Sequence, residues 1–329
     1  MQRRSWIAGV GLGLLLGNAR AARTWQMATG YASDMFHTRN VRSFTDDLAR
    51  ETAGAITVNV HDNNTLVRMP DIAQAVRDRR VELGEVLLSG GLPKEITVAG
   101  ADAVPFLTRS VDDVKRLWDC QRPVLERQLA AIGLKALYAV PWPAQCLYSS
   151  VPLTHAQDLA NLRMRTYNPA TQAIAKLLNA VPVDMPTADV KKAVAEGRVD
   201  TLITSAVTGV DEALWTRMKY VYLINAWSPK NLVFMNAAAW RELGPDLQAA
   251  LSQAAARAEV RGWAASAEVA KSSLATLRSR GMTVDFPPPL LATVVQRLGE
   301  RFSRQWVHTA GTDANQIFIP YYSASTQHD

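Results

Sequence analysis

Residues 152–205 read PLTHAQDLANLRMRTYNPATQAIAKLLNAVPVDMPTADVKKAVAEGRVDTLITS, and this stretch indicates the fold class. Short apolar or β-branched runs alternate in it with segments whose apolar residues are spaced for one face of a helix. Asn168 with Pro169, and also Thr187, are typical helix starts, and Gly197 is a typical helix end. Alternating strands and helices predict an α/β sheet. The predicted strands are 162–165, 181–185 and 199–203, and the predicted helices are 170–178 and 188–195.

The same alternation continues on both sides of this stretch. Ser110, with Asp113 three residues later, is the predicted N-cap of one of the additional helices. Ligands of such sheets bind beyond the carboxyl ends of the strands, so the sequence predicts two α/β units with a ligand-binding cleft between them. The further predicted strands are 24–29, 56–60, 81–88, 135–140, 220–223 and 232–236, and the further predicted helices are 36–52, 69–78, 110–131 and 290–309.

Residues 245–280 predict one long helix, because they contain no proline after Pro245 and Gly262 is their only glycine. At 1.5 Å per residue such a helix is about 54 Å long, which exceeds the diameter of one domain of this size. It should therefore span both units. The chain should cross between them near Val140, near Trp227 and at Gly262. The predicted division assigns residues 22–140 and about 229–260 to domain I, and residues 141–228 and about 261–329 to domain II.

The first 21 residues have the pattern of a signal peptide. Arg3 and Arg4 precede an apolar run at 6–16, and Ala19 and Ala21 supply small residues for cleavage. The run is short for a membrane span, although an anchor is the alternative, and the arginine pair also fits a twin-arginine signal. We therefore expect export to the periplasm and no membrane insertion after cleavage.

Composition excludes several functional classes. Hydrophobic residues make up 48% and charged residues 20% of the 329-residue chain, which is typical of a globular protein. Loss of residues 1–21 removes three arginines and lowers the formal net charge from +6 to +3, and no basic run remains that would favour nucleic acid. Cys120 and Cys146 are too few for a disulfide scaffold; two separate thiols are favoured over one bond between them.

Local catalytic and cofactor motifs are missing from the sequence. It contains no dinucleotide-binding glycine pattern, phosphate-binding loop, nucleophile elbow or HExxH motif, and its five histidines are not spaced as metal ligands. This favours a binding protein with no catalytic residues, no metal and no cofactor. An exported enzyme acting on a small carboxylate is the alternative, since catalytic residues can be distant in sequence.

Four segments carry a resemblance to a known family: Val104-Pro105-Phe106-Leu107, Asp158-Leu159, Leu162-Arg163-Met164-Arg165 and Gly197-Arg198-Val199-Asp200. In order and spacing they resemble the solute-binding proteins of tripartite ATP-independent periplasmic (TRAP) transporters, dicarboxylate-binding type. The resemblance implies a two-domain periplasmic binding protein fold and a receptor that delivers a small organic acid to a membrane permease. A receptor for an ABC-type importer is a further alternative.

The sequence departs from this family at several positions. Asn161 stands where glycine is frequent, Thr204 stands where asparagine is frequent, and residues 142–146 lack a second arginine often found there. A sialic-acid or C4-dicarboxylate pocket is therefore not implied. Because one arginine and several aromatic residues remain, we expect a monocarboxylate with an apolar or aromatic body, or a 2-oxo acid.

Arg165 is the principal candidate for ligand binding. The resemblance implies that it binds the ligand carboxylate, and a guanidinium at a strand end offers a planar fork that matches two carboxylate oxygens. A salt bridge with Asp184 is the structural alternative. Glu85 should be repelled by a bound carboxylate unless it accepts a hydrogen bond. The other candidate ligand-binding residues are Tyr31, His37, Asn40, Glu85, Ser89, Trp142, Gln145, Tyr167, Asn168, Thr204, Ser205, Trp227 and Asn231.

Four of these candidates have structural alternatives, and one of them is His37, which is more often a helix-start histidine than a ligand contact. Trp142 and Trp227 supply broad apolar walls, but each is at least as well suited to packing one domain against the other. Asn168 can contact a ligand or cap the helix that follows it.

Overall fold

A computed structural model describes residues 22–185 and 189–325, so the predicted signal peptide and Thr187 lie outside the described residues. The strands are β1 Arg23–Thr29, β2 Ile56–His61, β3 Leu83–Leu87, β4 Leu134–Pro141, β5 Gln145–Ser149, β6 Arg163–Thr166, β7 Val181–Asp184, β8 Thr201–Ser205, β9 Tyr220–Tyr222, β10 Lys230–Asn236 and β11 Thr283–Asp285. The helices are α1 Phe36–Glu51, α2 Ile72–Arg77, α3 Leu88–Gly91, α4 Val111–Ala131, α5 Pro169–Leu177, α6 Val190–Ala195, α7 Ala206–Asp211, α8 Ala237–Arg241, α9 Pro245–Ser279, α10 Pro289–Ala310 and α11 Thr312–Ser325.

The strands form two sheets, each the centre of one lobe. The first sheet has the order β2-β1-β3-β10-β4, and the second has the order β11-β9-β5-β8-β6-β7. Parallel pairs join β1 to β2 and β3 in the first sheet, and β6 to β7 and β8 in the second, as the strand–helix alternation predicts. β10 runs antiparallel to both of its neighbours. The chain crosses from the first sheet to the second between β4 and β5 and returns between β9 and β10.

The long helix α9 is held firmly by the first lobe. The Asn40 amide donates to the carbonyl of Ala258 at 2.9 Å, and the Trp263 indole donates to the carbonyl of Ala139 at 3.0 Å. Gly262 is required there, since a Cβ would lie 2.3 Å from the Val140 side chain. The chain is therefore tightly packed at Gly262, where the sequence predicted a hinge. The later part of α9 packs against α7 and β11 of the second lobe.

A buried ion pair lies where the chain re-enters the first sheet. Lys230 is the first residue of β10, and its ammonium nitrogen is 3.8 Å from a carboxylate oxygen of Asp102, with neither side chain exposed. The same oxygen accepts the Lys230 backbone N–H at 2.7 Å. Burial raises the pKa of Asp102 to about 6 and lowers that of Lys230. This ion pair links the end of the return crossover to the first lobe.

Several boundaries differ from the sequence-based expectations. The strand predicted at 199–203 is β8, Thr201–Ser205, because Asp200 is turned to form a salt bridge with Arg163. β5 was not predicted. Near the end of the described chain, α11 packs against α4, and the Tyr321 hydroxyl donates to the carbonyl of Leu107. Both cysteines are free thiols.

Candidate ligand-binding site

Arg165 lies at the carboxyl end of β6, where the strand pattern predicts a ligand. Its side chain is only 2% exposed. The guanidinium donates from Nε to the carbonyl of Met185 at 3.2 Å, and it lies 4.2 Å from the centre of the Tyr167 ring. Burial lowers the pKa of Arg165, while Tyr167 and the carboxylate of Asp184 act in the opposite direction. An arginine remains charged under these conditions, so the second lobe holds a desolvated cation at the strand end.

Tyr167 and Trp227 form a wall beside this cation. The Trp227 ring is buried, and burial raises the pKa of Tyr167 while the neighbouring Arg165 and Trp227 act to lower it. Asn168 caps α5, because its Oδ1 accepts the backbone N–H of Thr171 at 2.8 Å. The capping role that the sequence allowed for Asn168 is therefore present in the structure.

Three further candidates lie where β5 begins and β8 ends. Gln145 of β5 pairs with Ser205 of β8, and Thr204 immediately precedes Ser205. All three are buried. The Gln145 amide donates to the carbonyl of Pro143 at 3.3 Å, and the Ser205 hydroxyl caps α7 by accepting the backbone N–H of Thr208 at 3.2 Å. Gln145 and Ser205 therefore have local structural roles.

The first lobe presents a cluster of aromatic rings. The His37 ring is centred 4.5 Å from the Trp142 ring and 5.9 Å from the Tyr31 ring. Tyr31 and Trp142 are 5.5 Å apart, and Phe36 lies 5.6 Å from Trp142 with its edge towards the indole. The sequence singled out Tyr31, His37 and Trp142 separately; the structure brings them together and adds Phe36.

A polar hub joins this aromatic cluster to the sheet. Asn231 Oδ1 accepts hydrogen bonds from the Tyr31 hydroxyl at 3.0 Å and from the Trp142 indole at 2.9 Å. The Asn231 amide donates to Glu85 at 3.1 Å, and the Thr29 hydroxyl donates to the same carboxylate at 2.6 Å. Burial raises the pKa of Glu85, and both hydrogen bonds act to lower it. Glu85 therefore accepts hydrogen bonds, which was the condition expected of a carboxylate close to a bound anion.

Two candidates lie away from both clusters. Asn40 faces α9, where its amide donates to Ala258 and its Oδ1 accepts from Arg261 at 3.0 Å. Ser89 is half-buried in the short helix α3, which directly follows β3. Thr29, Phe36 and Met185 were not predicted, although each lies at or next to a strand or helix end that carries a predicted residue.

His37 gives the first lobe a measurable pH dependence. The ring is fully buried, and this burial lowers its pKa from about 6.5 to about 3. Between these values the unfolded chain binds a proton that the folded protein excludes, so stability falls as the pH decreases. The contribution is at most about 1.4 kcal/mol per pH unit. Urea unfolding should show that the free energy of unfolding falls from pH 7 to pH 5 by about 2 kcal/mol more in the wild type than in His37→Phe. Equal losses in the two proteins would contradict this role.

The two lobes therefore carry different chemistry. The second offers one desolvated guanidinium beside an aromatic wall, and the first offers stacked rings around an amide and a carboxylate. Together they suit a small anion with a flat body that also exchanges hydrogen bonds. Within residues 22–185 and 189–325, no group of three His, Cys, Asp or Glu side chains is arranged to hold a metal ion. No helix in these ranges is both long enough and apolar enough to cross a bilayer.

Comparisons with a family model and with solved structures show which proteins this chain resembles. The family model described as bacterial extracellular solute-binding protein, family 7 (DctP), matches residues 27–306. Among solved structures, DctP6 and DctP7 of Bordetella pertussis, extracytoplasmic solute receptors that bind pyroglutamic acid, are 32% and 34% identical to this chain. Each match covers 92% of this chain and 100% of the other, with TM-scores of 0.84 and 0.83.

A third similar structure comes from a marine metagenome. It is a TRAP solute-binding protein specific for pyroglutamate, 30% identical, and the match covers 92% of this chain and 99% of that one with a TM-score of 0.82. Fold and sequence thus agree with these receptors over 92% of this chain. The protein belongs to family 7 of the bacterial extracellular solute-binding proteins, the DctP family of TRAP solute receptors.

Proposed function

We propose that this receptor captures pyroglutamate, or a cyclic monocarboxylate of the same size, between its two lobes. The observation that carries the proposal is the Arg165 guanidinium, 2% exposed at the carboxyl end of β6. A carboxylate bound there forms a charge-assisted, bidentate pair with little competition from water. The likeness to three pyroglutamate receptors at 30–34% identity supports the choice of ligand.

The rest of such a ligand matches the chemistry of the first lobe. Pyroglutamate has a flat five-membered ring with one N–H donor and one carbonyl acceptor. The rings of Tyr31 and Trp142 offer apolar faces for that ring, and the buried His37 ring packs against both of them. Glu85 is a hydrogen-bond acceptor in the same cluster, which suits a lactam N–H and disfavours a second carboxylate.

Binding on both lobes would favour the closed state of the receptor. A ligand that contacts both lobes binds the closed form more tightly and shifts the equilibrium towards it. The crossovers between β4 and β5 and between β9 and β10 are the proposed hinges, together with α9 beyond Trp263. The closed receptor would deliver the acid to a TRAP membrane permease in the periplasm after removal of the predicted signal peptide. No covalent step is required.

A calorimetric ligand panel tests this function. Pyroglutamate should bind one-to-one, whereas 2-pyrrolidinone, which lacks the carboxylate, should bind at least about 30-fold more weakly because it cannot form the charge-assisted pair with Arg165. Proline lacks the ring carbonyl and glutamate lacks the closed ring, so both should bind more weakly than pyroglutamate. Mass spectrometry of the released ligand should show unchanged pyroglutamate. Tightest binding of an open-chain dicarboxylate, or release of a product, would refute the proposal.

A further inference from the structure

A cavity lies beside the first crossover, and Arg165 is not among the residues that line it, although Trp142 belongs both to its lining and to the aromatic cluster of the first lobe. The cavity has a volume of about 320 Å³ and lies between the first crossover and α9. Pro141 and Trp142 of the crossover form one wall, and Trp263 and Ala270 of α9 form another. Val114 of the first lobe and Cys146 of the second also line it, so we call it the hinge cavity.

The walls of the hinge cavity are mostly apolar, and none of the described residues that line it carries a charged side chain. Its polar lining residues are Thr108, Ser110, Asn225, Ser228 and Ser266. The two indole N–H groups are already used: Trp142 donates to Asn231 and Trp263 donates to Ala139. The Asn225 amide donates to the carbonyl of Arg109 at 2.9 Å. The Cys146 thiol is buried, which raises its pKa to about 12 and keeps it neutral. An anion would therefore find no countercharge here, whereas an apolar ring would find two indole faces.

The size of the hinge cavity sets the size of its ligand. An apolar protein cavity of roughly 150 Å³ stays dry and accepts benzene. About twice that volume fits two fused rings. Phe286 and Val111 at the rim are 71% and 67% exposed, which leaves an apolar entrance open to solvent. We propose that the hinge cavity is a second binding site, for a small neutral molecule with a fused aromatic ring system, distinct from the carboxylate site at Arg165.

Indole is a suitable probe for this site. Calorimetric titration of the purified protein with indole should show saturable binding. Ala270→Phe fills the cavity from α9 and should weaken indole binding at least about tenfold. Ala256→Phe is the matched control, because it places the same side chain at an exposed position of α9 outside the cavity. It should change indole binding by less than about twofold.

Two further variants keep the test decisive. If Ala270→Phe fails to fold, Ala267→Leu blocks the cavity from the preceding turn of α9 with a smaller group. Arg165→Ala should leave indole binding unchanged, so failure of the carboxylate proposal is distinguishable from failure of this one. Absence of saturable indole binding would overturn the proposal. Equal indole affinities of the filled and control variants would overturn it too, and so would a loss of indole binding in Arg165→Ala.

Discussion

Replacing Arg165 with alanine should reduce the affinity for pyroglutamate by at least about 30-fold. Truncating one partner of a buried charge pair costs about 2–5 kcal/mol, and about 2 kcal/mol corresponds to that factor. Arg165→Lys should recover only part of the affinity, because an ammonium keeps the charge but loses the bidentate fork. Isothermal titration at pH 7.5 measures all three proteins.

Arg163→Ala is the control for this experiment. Arg163 lies two residues earlier on β6, and its guanidinium makes two hydrogen bonds of 2.7 Å to Asp200. This salt bridge is half-exposed and structural, so loss of the Arg163 side chain should leave ligand affinity within about twofold of the wild type. If Arg165→Ala bound pyroglutamate as tightly as Arg163→Ala, the assignment of the carboxylate site would be wrong.

Replacing Asp102 with asparagine should destabilise the folded protein by about 3–5 kcal/mol, because the Lys230 ammonium then stays buried without a countercharge. Asparagine keeps an oxygen to accept the Lys230 backbone N–H, so the charge is the main change. Burial raises the pKa of Asp102 to about 6, so unfolding is best measured at pH 8, where the wild-type carboxyl is ionised.

The double variant Asp102→Asn/Lys230→Met isolates the pair. Methionine follows the course of the lysine stem without its charge, and replacing both partners of a buried pair is often neutral or stabilising. Most of the lost stability should therefore return relative to Asp102→Asn alone. Additive losses in the double variant would show that the two side chains do not act as a pair.

Local features of this fold were predictable from sequence because they depend on neighbouring residues. The Ser110–Asp113 capping box that starts α4 is present as predicted, and so is the uninterrupted helix α9. β5 was missed because Gln145–Ser149 follows a proline-rich crossover and shows no clear alternation. Strand β8 was placed two residues early because Val199 is apolar and β-branched, whereas Asp200 turns aside to the salt bridge with Arg163.

The site was predictable only in part, for a different reason. Arg165 is recognisable as a strand-end arginine, but the Asn231 hub joins Tyr31 to a residue 200 positions later in the chain. Periodicity carries no information on such a contact. Asn40 is a second example. It was predicted from its place near a helix start, and the structure shows its side chain bonded to Ala258 and Arg261 of α9, a contact 218 positions away in the sequence.

The position of β10 constrains the order in which this chain can assemble. β10 occupies the space between β3 and β4, yet it is made only after residues 142–229, which build most of the other sheet. The first sheet thus lacks an interior strand until synthesis has passed residue 236, and pairing over such a sequence distance is slow. Neither half of the polypeptide contains a complete sheet of its own, so the protein must mature as a single cooperative unit.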